Sequence, residues 1–205
     1  LTAHNLEDQV ETFFIRLSRG SGLHGLSSMK QENKIKPGIK LVRPLLEFKK
    51  KQLIKISKEV FGTYYKDPSN INKKYLRTRI RSLKQIIEKS GIEYEQIFKS
   101  IKNLASSRDT LDLYLSKLYK ESVYKEKNKI IINLYNFNNF NQEIKLKVLN
   151  HAIIKLTKAY YAPRSKKTLN LIDNLKSKNY IKSTLGGCTI FKKKDRIILV
   201  KDEKR

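Results

Sequence analysis

The sequence has 205 residues, with 45 Lys and Arg against 19 Asp and Glu, a formal net charge of +26 and a pI near 10.0. That balance excludes an acid-shelled enzyme acting alone on cations and directs attention to a polyanion, because a field of this sign concentrates phosphates or anionic lipid at the surface. Hydrophobic residues make up 39% of the chain, enough for a core, and the single Cys188 excludes a disulfide scaffold or a cysteine-pair metal site and points to a reducing compartment, the cytoplasm.

Leu1-Thr2-Ala3-His4 reads as the end of a buried strand, without the basic start or apolar stretch of a signal peptide. It implies a reading frame that extends upstream and a chain that is a fragment. Leu6, Val10, Phe13, Phe14 and Leu17 recur at helical spacing and predict an amphipathic helix over residues 5–18. On the same wheel His4, Asp8 and Glu11 fall in a narrow arc opposite the apolar stripe, which predicts an exposed acidic face. Arg19-Gly20-Ser21-Gly22 ends the helix with glycines able to take positive φ and present backbone N–H groups as an anion nest.

Residues 40–46 read as a short extended segment around Arg43-Pro44, and Leu53, Ile56 and Val60 mark a helix closed by Gly62. Asp67-Pro68-Ser69-Asn70 signals a turn, and Arg77, Arg79 and Arg81 give a basic junction. Beyond it the apolar spacing is mostly helical, through Leu83, Ile86, Ile87, Ile101, Leu104, Leu111, Leu115 and Leu118. A β-branched strand follows at residues 130–134, then an Asn-rich loop at 136–141, with Asn139 or Asn141 capping a helix marked by Leu149, Ile153 and Leu156. A short helix carries Leu171, Ile172 and Leu175. Cys188 to Phe191 and Ile197 to Val200 form a closing hairpin with a basic tip, entered through Gly186-Gly187, a bulge or tight turn. No apolar stretch approaches the roughly 20 residues needed to span a bilayer. The layout is the tail of an α/β unit, a basic linker, a helical domain and a terminal hairpin.

Chemistry-bearing residues concentrate in a few places. His4, Asp8 and Glu11 can coordinate Mg²⁺, hold an ammonium group or touch a nucleotide, although acids in a first turn also serve the helix dipole and Asn5-x-x-Asp8 resembles a capping box. Arg77, Arg79 and Arg81 suit phosphates, since guanidinium pairs bidentately and keeps its charge; on a helix Arg77 and Arg81 share a face and Arg79 does not. Tyr160, Tyr161, Arg164, Lys166 and Lys167 mix rings with cations, as base stacking and backbone binding require, though tyrosines at a helix end also serve packing. His24 and His151 have no partner at ligand spacing and read as surface or packing residues, and Cys188 as a packed thiol.

These residues together resemble the tRNA(Ile)-lysidine synthases. Ala3-His4-Asn5-Leu6-Glu7-Asp8-Gln9-Val10-Glu11-Thr12 is similar to their His-His-x-Asp-Asp-Gln-x-Glu-Thr motif, with Asn5 and Glu7 in place of the second His and first Asp. Residues 16–29 resemble their Arg-Leu-x-Arg-Gly-Ser-Gly-x-x-Gly-Leu-x-x-Met segment. Arg43-Pro44-Leu45-Leu46, Asp67-Pro68-Ser69-Asn70, the run from Tyr75 to Arg81 and Thr184-Leu185-Gly186-Gly187-Cys188 follow in family order. The family's Ser-Gly-Gly-x-Asp-Ser phosphate loop is not among the 205 residues.

The resemblance implies the C-terminal portion of a Rossmann-like PP-loop ATPase domain over residues 1–63, a basic linker over 64–90 and a mainly helical tRNA-binding domain over 91–205. It implies a ligase that uses ATP to adenylate C2 of the wobble cytidine of tRNA(Ile), then lets L-lysine displace AMP to form lysidine. By position, His4 belongs to the ATP site, Arg77 and Arg79 face the nucleotide or intermediate, and Asp8 and Glu11 surround lysine or Mg²⁺. The tRNA contacts fall to Arg19, Arg77, Arg79, Arg81, Arg164, Lys166, Lys167, Lys192, Lys193 and Lys194. Without the phosphate loop the 205 residues alone are expected to be inactive. The alternative is a non-catalytic basic RNA-binding module; the related tRNA 2-thiocytidine enzymes need paired cysteines. A homodimer is compatible with the sequence.

Overall fold

The computed structural model describes residues 1–36, 38–65, 74–177 and 180–202. The turn expected at Asp67-Pro68-Ser69-Asn70 lies outside the described residues. The chain divides into two compact units, Leu1–Thr110 and Leu111–Arg205.

In the first unit, α1 (Leu6–Leu17) starts where the sequence says it should. The Asn5 side chain accepts from the Asp8 N–H and the Asp8 carboxylate accepts from the Asn5 N–H, both at 3.0 Å, a reciprocal cap that satisfies two otherwise orphaned donors. Its apolar stripe packs through Leu6 and Val10 against Tyr94, Ile97 and Ile101, with Phe13, Phe14, Ile87 and Phe98 around them. A four-residue turn of helix, α2 (Leu23–Leu26), leads to the antiparallel pair β1 (Glu32–Lys36) and β2 (Ile39–Val42). The extended segment expected through residue 46 thus stops at Val42. Helix α3 (Lys50–Phe61) ends at Gly62 in the left-handed conformation, and α4 (Leu76–Ser82) and α5 (Lys84–Lys89) follow. The first residues are tied to β2 by the Thr2 N–H, which donates to the Val42 carbonyl at 3.0 Å.

The 29-residue helix α6 (Tyr94–Ser122) begins in the first unit and ends in the second. The second unit is built on a five-stranded antiparallel sheet of β3 (Val123–Glu126), β4 (Lys129–Asn133), β5 (Lys182–Leu185), β6 (Cys188–Lys193) and β7 (Arg196–Lys201), in the order β3-β4-β7-β6-β5. The expected closing hairpin is therefore there, as β6 and β7, but it is the middle of a sheet. Register aligns Ile130 with Leu199, Leu199 with Ile190 and Ile132 with Ile197, so these side chains line one face. That face packs on α8 (Gln142–Thr157) and α9 (Ser165–Lys176) through Leu149, Ile153, Leu171, Ile172 and Leu175.

The Asn-rich stretch is not a loop. It forms α7 (Leu134–Asn139), with Asn133 accepting from the Asn136 N–H, and Asn141 caps α8 through the Ile144 N–H at 2.9 Å. Asn133 and Asn141 serve the two helix starts, where a short amide satisfies an orphan N–H. Gly186 and Gly187, with φ of +62° and +78°, make the two-residue turn between β5 and β6, the conformation a twisted hairpin requires, so no bulge is needed. Among the described residues no helix is long and apolar enough to cross a membrane.

Candidate active site and nucleic-acid interface

The acidic face of α1 is covered. Glu11 is only 2% exposed, because α4 lies across it. Arg81 grips the Glu11 carboxylate with Nε at 2.6 Å from Oε1 and Nη2 at 3.0 Å from Oε2. Arg77 places Nε 3.3 Å from Glu11 Oε2, an ion pair without hydrogen-bond alignment, and donates from Nη2 to Thr12 Oγ1 at 3.0 Å. The bond to Glu11 pushes the Arg81 pKa up despite burial. Tyr94 closes the floor of this centre; burial, with Glu11, Glu88 and Glu7 nearby, pushes its phenol up to about 12. The exposed triad expected from the wheel is thereby corrected: the helical period places His4, Asp8 and Glu11 on one side, but that side meets another helix.

Asp8 remains partly open, with Oδ1 3.9 Å from Arg81 Nη2 and Oδ2 held by the cap. His4 Nδ1 shares a hydrogen bond with Thr2 Oγ1 at 3.0 Å. Glu7, the departure from the motif, accepts from the Lys50 N–H at 2.8 Å and thus ties α1 to the start of α3. With both Glu11 oxygens held by guanidinium, the expected Mg²⁺ pair of Asp8 and Glu11 does not fit this arrangement, since Mg²⁺ takes carboxylate oxygens directly. Among the described residues no group of three or more His, Cys, Asp or Glu converges as a metal site. Arg77 and Arg81 share a face on α4 as expected and turn it inward, while Arg79 is exposed.

The glycine-rich turn after α1 is held from below by residues that helical spacing did not single out. Gln9 makes a reciprocal pair with Met29, its amide donating to the Met29 carbonyl at 2.9 Å and accepting from the Met29 N–H at 2.8 Å. Arg16 Nη1 donates to the carbonyls of Gly25 and Ser28 at 2.7 and 3.0 Å, and Arg108 Nη1 to Ser27 Oγ at 2.9 Å. Burial and the charges of Arg108 and Arg43 lower the Arg16 pKa. Gly25 has no room for a side chain, since a Cβ would sit 2.5 Å from that of Ser21. A buried Gln and an Arg on the motif helix were the available signals, because buried long polar side chains need backbone partners. Arg19 is exposed beside this turn.

In the second unit Arg164, Lys166 and Lys167 crowd the exposed start of α9, and Tyr160 and Tyr161 precede it as an exposed edge-on pair 4.6 Å apart. Cations at a helix N-terminus oppose its dipole, so an anion there relieves both. Lys193 and Lys194 lie exposed at the β6–β7 turn. Lys192 is different: its ammonium donates to the Leu175 and Ser177 carbonyls at 2.8 and 3.1 Å, closing the C-terminal end of α9. Its expected place among the tRNA contacts is corrected to a structural one.

Residues 1–89 match a PP-loop domain family. The whole chain aligns at 31% identity with a tRNA(Ile)-lysidine synthase of Wolbachia pipientis wMel, covering 48% of that protein. A tRNA(Ile)-lysidine synthase of Rickettsia prowazekii is 27% identical over 98% of the chain and 46% of its own length, and one of Prochlorococcus marinus is 37% identical over 54% of the chain and 32% of its own length. The chain spans about half the length of the curated relatives that it matches over its full extent.

Proposed function

We propose that this chain, which belongs to the tRNA(Ile)-lysidine synthase family, supplies one wall of the active site and the RNA-holding part of an enzyme that joins L-lysine to C2 of the wobble cytidine of tRNA(Ile) at the expense of ATP. The observation that carries this reading is the Glu11–Arg81–Arg77 centre, which fixes α1 so that His4 and Asp8 sit at its open edge. Asp8, partly open on α1, is the carboxylate suited to orient a lysine ammonium group, and His4, just before the cap of the same helix, is the group to hold or take a proton as the amine attacks. Glu11 acts through Arg81 as a positioning residue. Arg79, exposed on α4, presents a guanidinium that can face a phosphoryl or nucleobase oxygen.

In this reading Leu1–Thr110, whose residues 1–89 match the PP-loop domain, is ATPase-domain structure in which the expected linker helix α4 is packed on α1, and Leu111–Arg205 is the tRNA-binding part. The phosphate loop is not in these 205 residues, so no step at the ATP phosphates or at Mg²⁺ is assigned to them, and the chain alone is inactive. The test is lysine incorporation into a tRNA(Ile) transcript by the product of the complete gene beside the 205-residue chain. Incorporation by the complete product alone supports the ligase and the inactivity of the chain. Tight tRNA binding by both, with incorporation by neither, favours the RNA-binding module, a reading that the saturation of Glu11 by arginine also fits.

A further inference from the structure

The second unit contains a cavity of about 500 Å³ between the end of α6 and the face of α8, lined by Leu115, Tyr119, Lys147, Val148, His151 and Ile154 among others. Its size lies within the range of small-molecule sites. Its walls are aliphatic at Leu115, Val148, Ile154 and Ala162 and polar at Asp112, Ser116, Lys147 and Asn150, around a stacked pair of rings: Tyr119 and His151, with centroids 4.4 Å apart and planes 28° from parallel. Tyr119 is 7% exposed, and its hydroxyl is buried without a hydrogen-bond partner. His151 is exposed beside it, so the second face of the ring stack is open to a ligand.

Two further observations define the ligand. The ammonium of Lys155 lies 5.1 Å from the centre of the Tyr119 ring, and the same lysine lines a neighbouring groove with Lys125, Lys127, Lys158, Lys201 and Asp202. The cationic groove thus begins at Lys155, whose ammonium lies against Tyr119, a wall of the aromatic cavity. A flat, polar-edged ring fits the first and a run of phosphates fits the second, and successive lysines along a groove suit a strand better than one small anion. Burial and the Lys155 charge lower the His151 pKa, so the imidazole is neutral at neutral pH and presents a ring rather than a cation.

We propose that this cavity takes one unpaired nucleobase of an RNA, stacked on the exposed ring of His151 and edged by the polar groups of the wall, with the flanking phosphates on the Lys155 groove. The proposal rests on the reading that the chain binds RNA. Its test uses the 205-residue chain and a single-stranded RNA carrying 2-aminopurine, with tRNA transcript as competitor. Binding should quench the 2-aminopurine, His151→Ala should weaken RNA affinity about tenfold, the order of one base stack, and His151→Phe should restore it. Ala162→Trp, which narrows the cavity from an exposed position, should weaken binding as His151→Ala does, with thermal melting of each variant matching the parent. Unchanged affinity and unquenched fluorescence in the presence of intact RNA binding overturn the pocket alone. Absence of any RNA binding by the parent chain overturns the RNA reading with it. Displacement of the RNA by AMP or CMP at equal concentration makes the cavity a mononucleotide site and also overturns the proposal.

Discussion

Arg81 and Glu11, 70 residues apart, meet as a two-point pair, Nε to Oε1 at 2.6 Å and Nη2 to Oε2 at 3.0 Å, and so fasten α4 to α1. Removing one partner leaves the other charge stranded in a site where Glu11 is 2% exposed. Arg81→Ala is expected to lower the stability of the first unit by about 3 kcal/mol, the lower end for a broken buried pair because Arg77 remains within reach. Arg81→Lys recovers only part of this, since an ammonium cannot make the two-point contact. Urea unfolding followed by circular dichroism measures both.

His151 makes stability depend on acidity. Its folded pKa lies below the ordinary 6.5, so the unfolded chain takes up a proton more readily. The contribution is fully present above pH 6.5 and is lost as pH falls through the lower folded value. Urea midpoints should therefore decline from pH 7 to pH 5, and His151→Phe should flatten that slope. An identical decline in the variant sinks the assignment.

Exposed and committed lysines should separate by salt dependence. Each lysine that neutralises a phosphate adds about one to the slope of log affinity against log salt. Lys167→Ala should reduce the slope for tRNA by about that amount with little change in melting. Lys192→Ala should leave the slope nearly unchanged and lower the melting temperature, because its ammonium serves the Leu175 and Ser177 carbonyls.

Gly186 tests the turn that starts β6. A Cβ at this position would lie 2.8 Å from both Ile153 Cγ2 and Pro163 Cγ, on a backbone with φ of +62°. Gly186→Ala is expected to cost about 2 kcal/mol from overpacking and the left-handed backbone together. The Cys188 thiol two residues on is buried, and burial pushes its pKa up to about 11. It should stay unreactive toward thiol reagents at pH 8 in the parent and become labelled faster in the glycine variant.

The helix starts at Asn5 and Asn141 were legible because a cap is written within four residues, and the central hairpin because β6 and β7 carry unbroken apolar runs. Strands β3 and β5 were not, since an edge strand such as Lys182–Leu185 needs only two half-buried side chains and its lysine and serine mask the alternation. The wheel placed Glu11 beside Asp8 correctly but carried no information on what lies above them; Arg81 comes from 70 residues away, and no local period encodes that meeting. His151 was passed over for the same reason, because its partner Tyr119 lies on another helix.

Four guanidiniums of the first unit are turned onto protein groups, Arg16 on the carbonyls under the glycine turn, Arg77 and Arg81 on Glu11 and Arg108 on Ser27, while Arg19 and Arg79 are exposed. The lysines at the start of α9 and at the β6–β7 turn stand outdoors. The two cations thus form separate currencies of mutation. Exchange of one basic residue for the other is nearly silent across the outer coat, where only charge is asked for. The same exchange at the four inner arginines removes a guanidinium contact that an ammonium cannot replace, so the coat tolerates the swap and the struts do not.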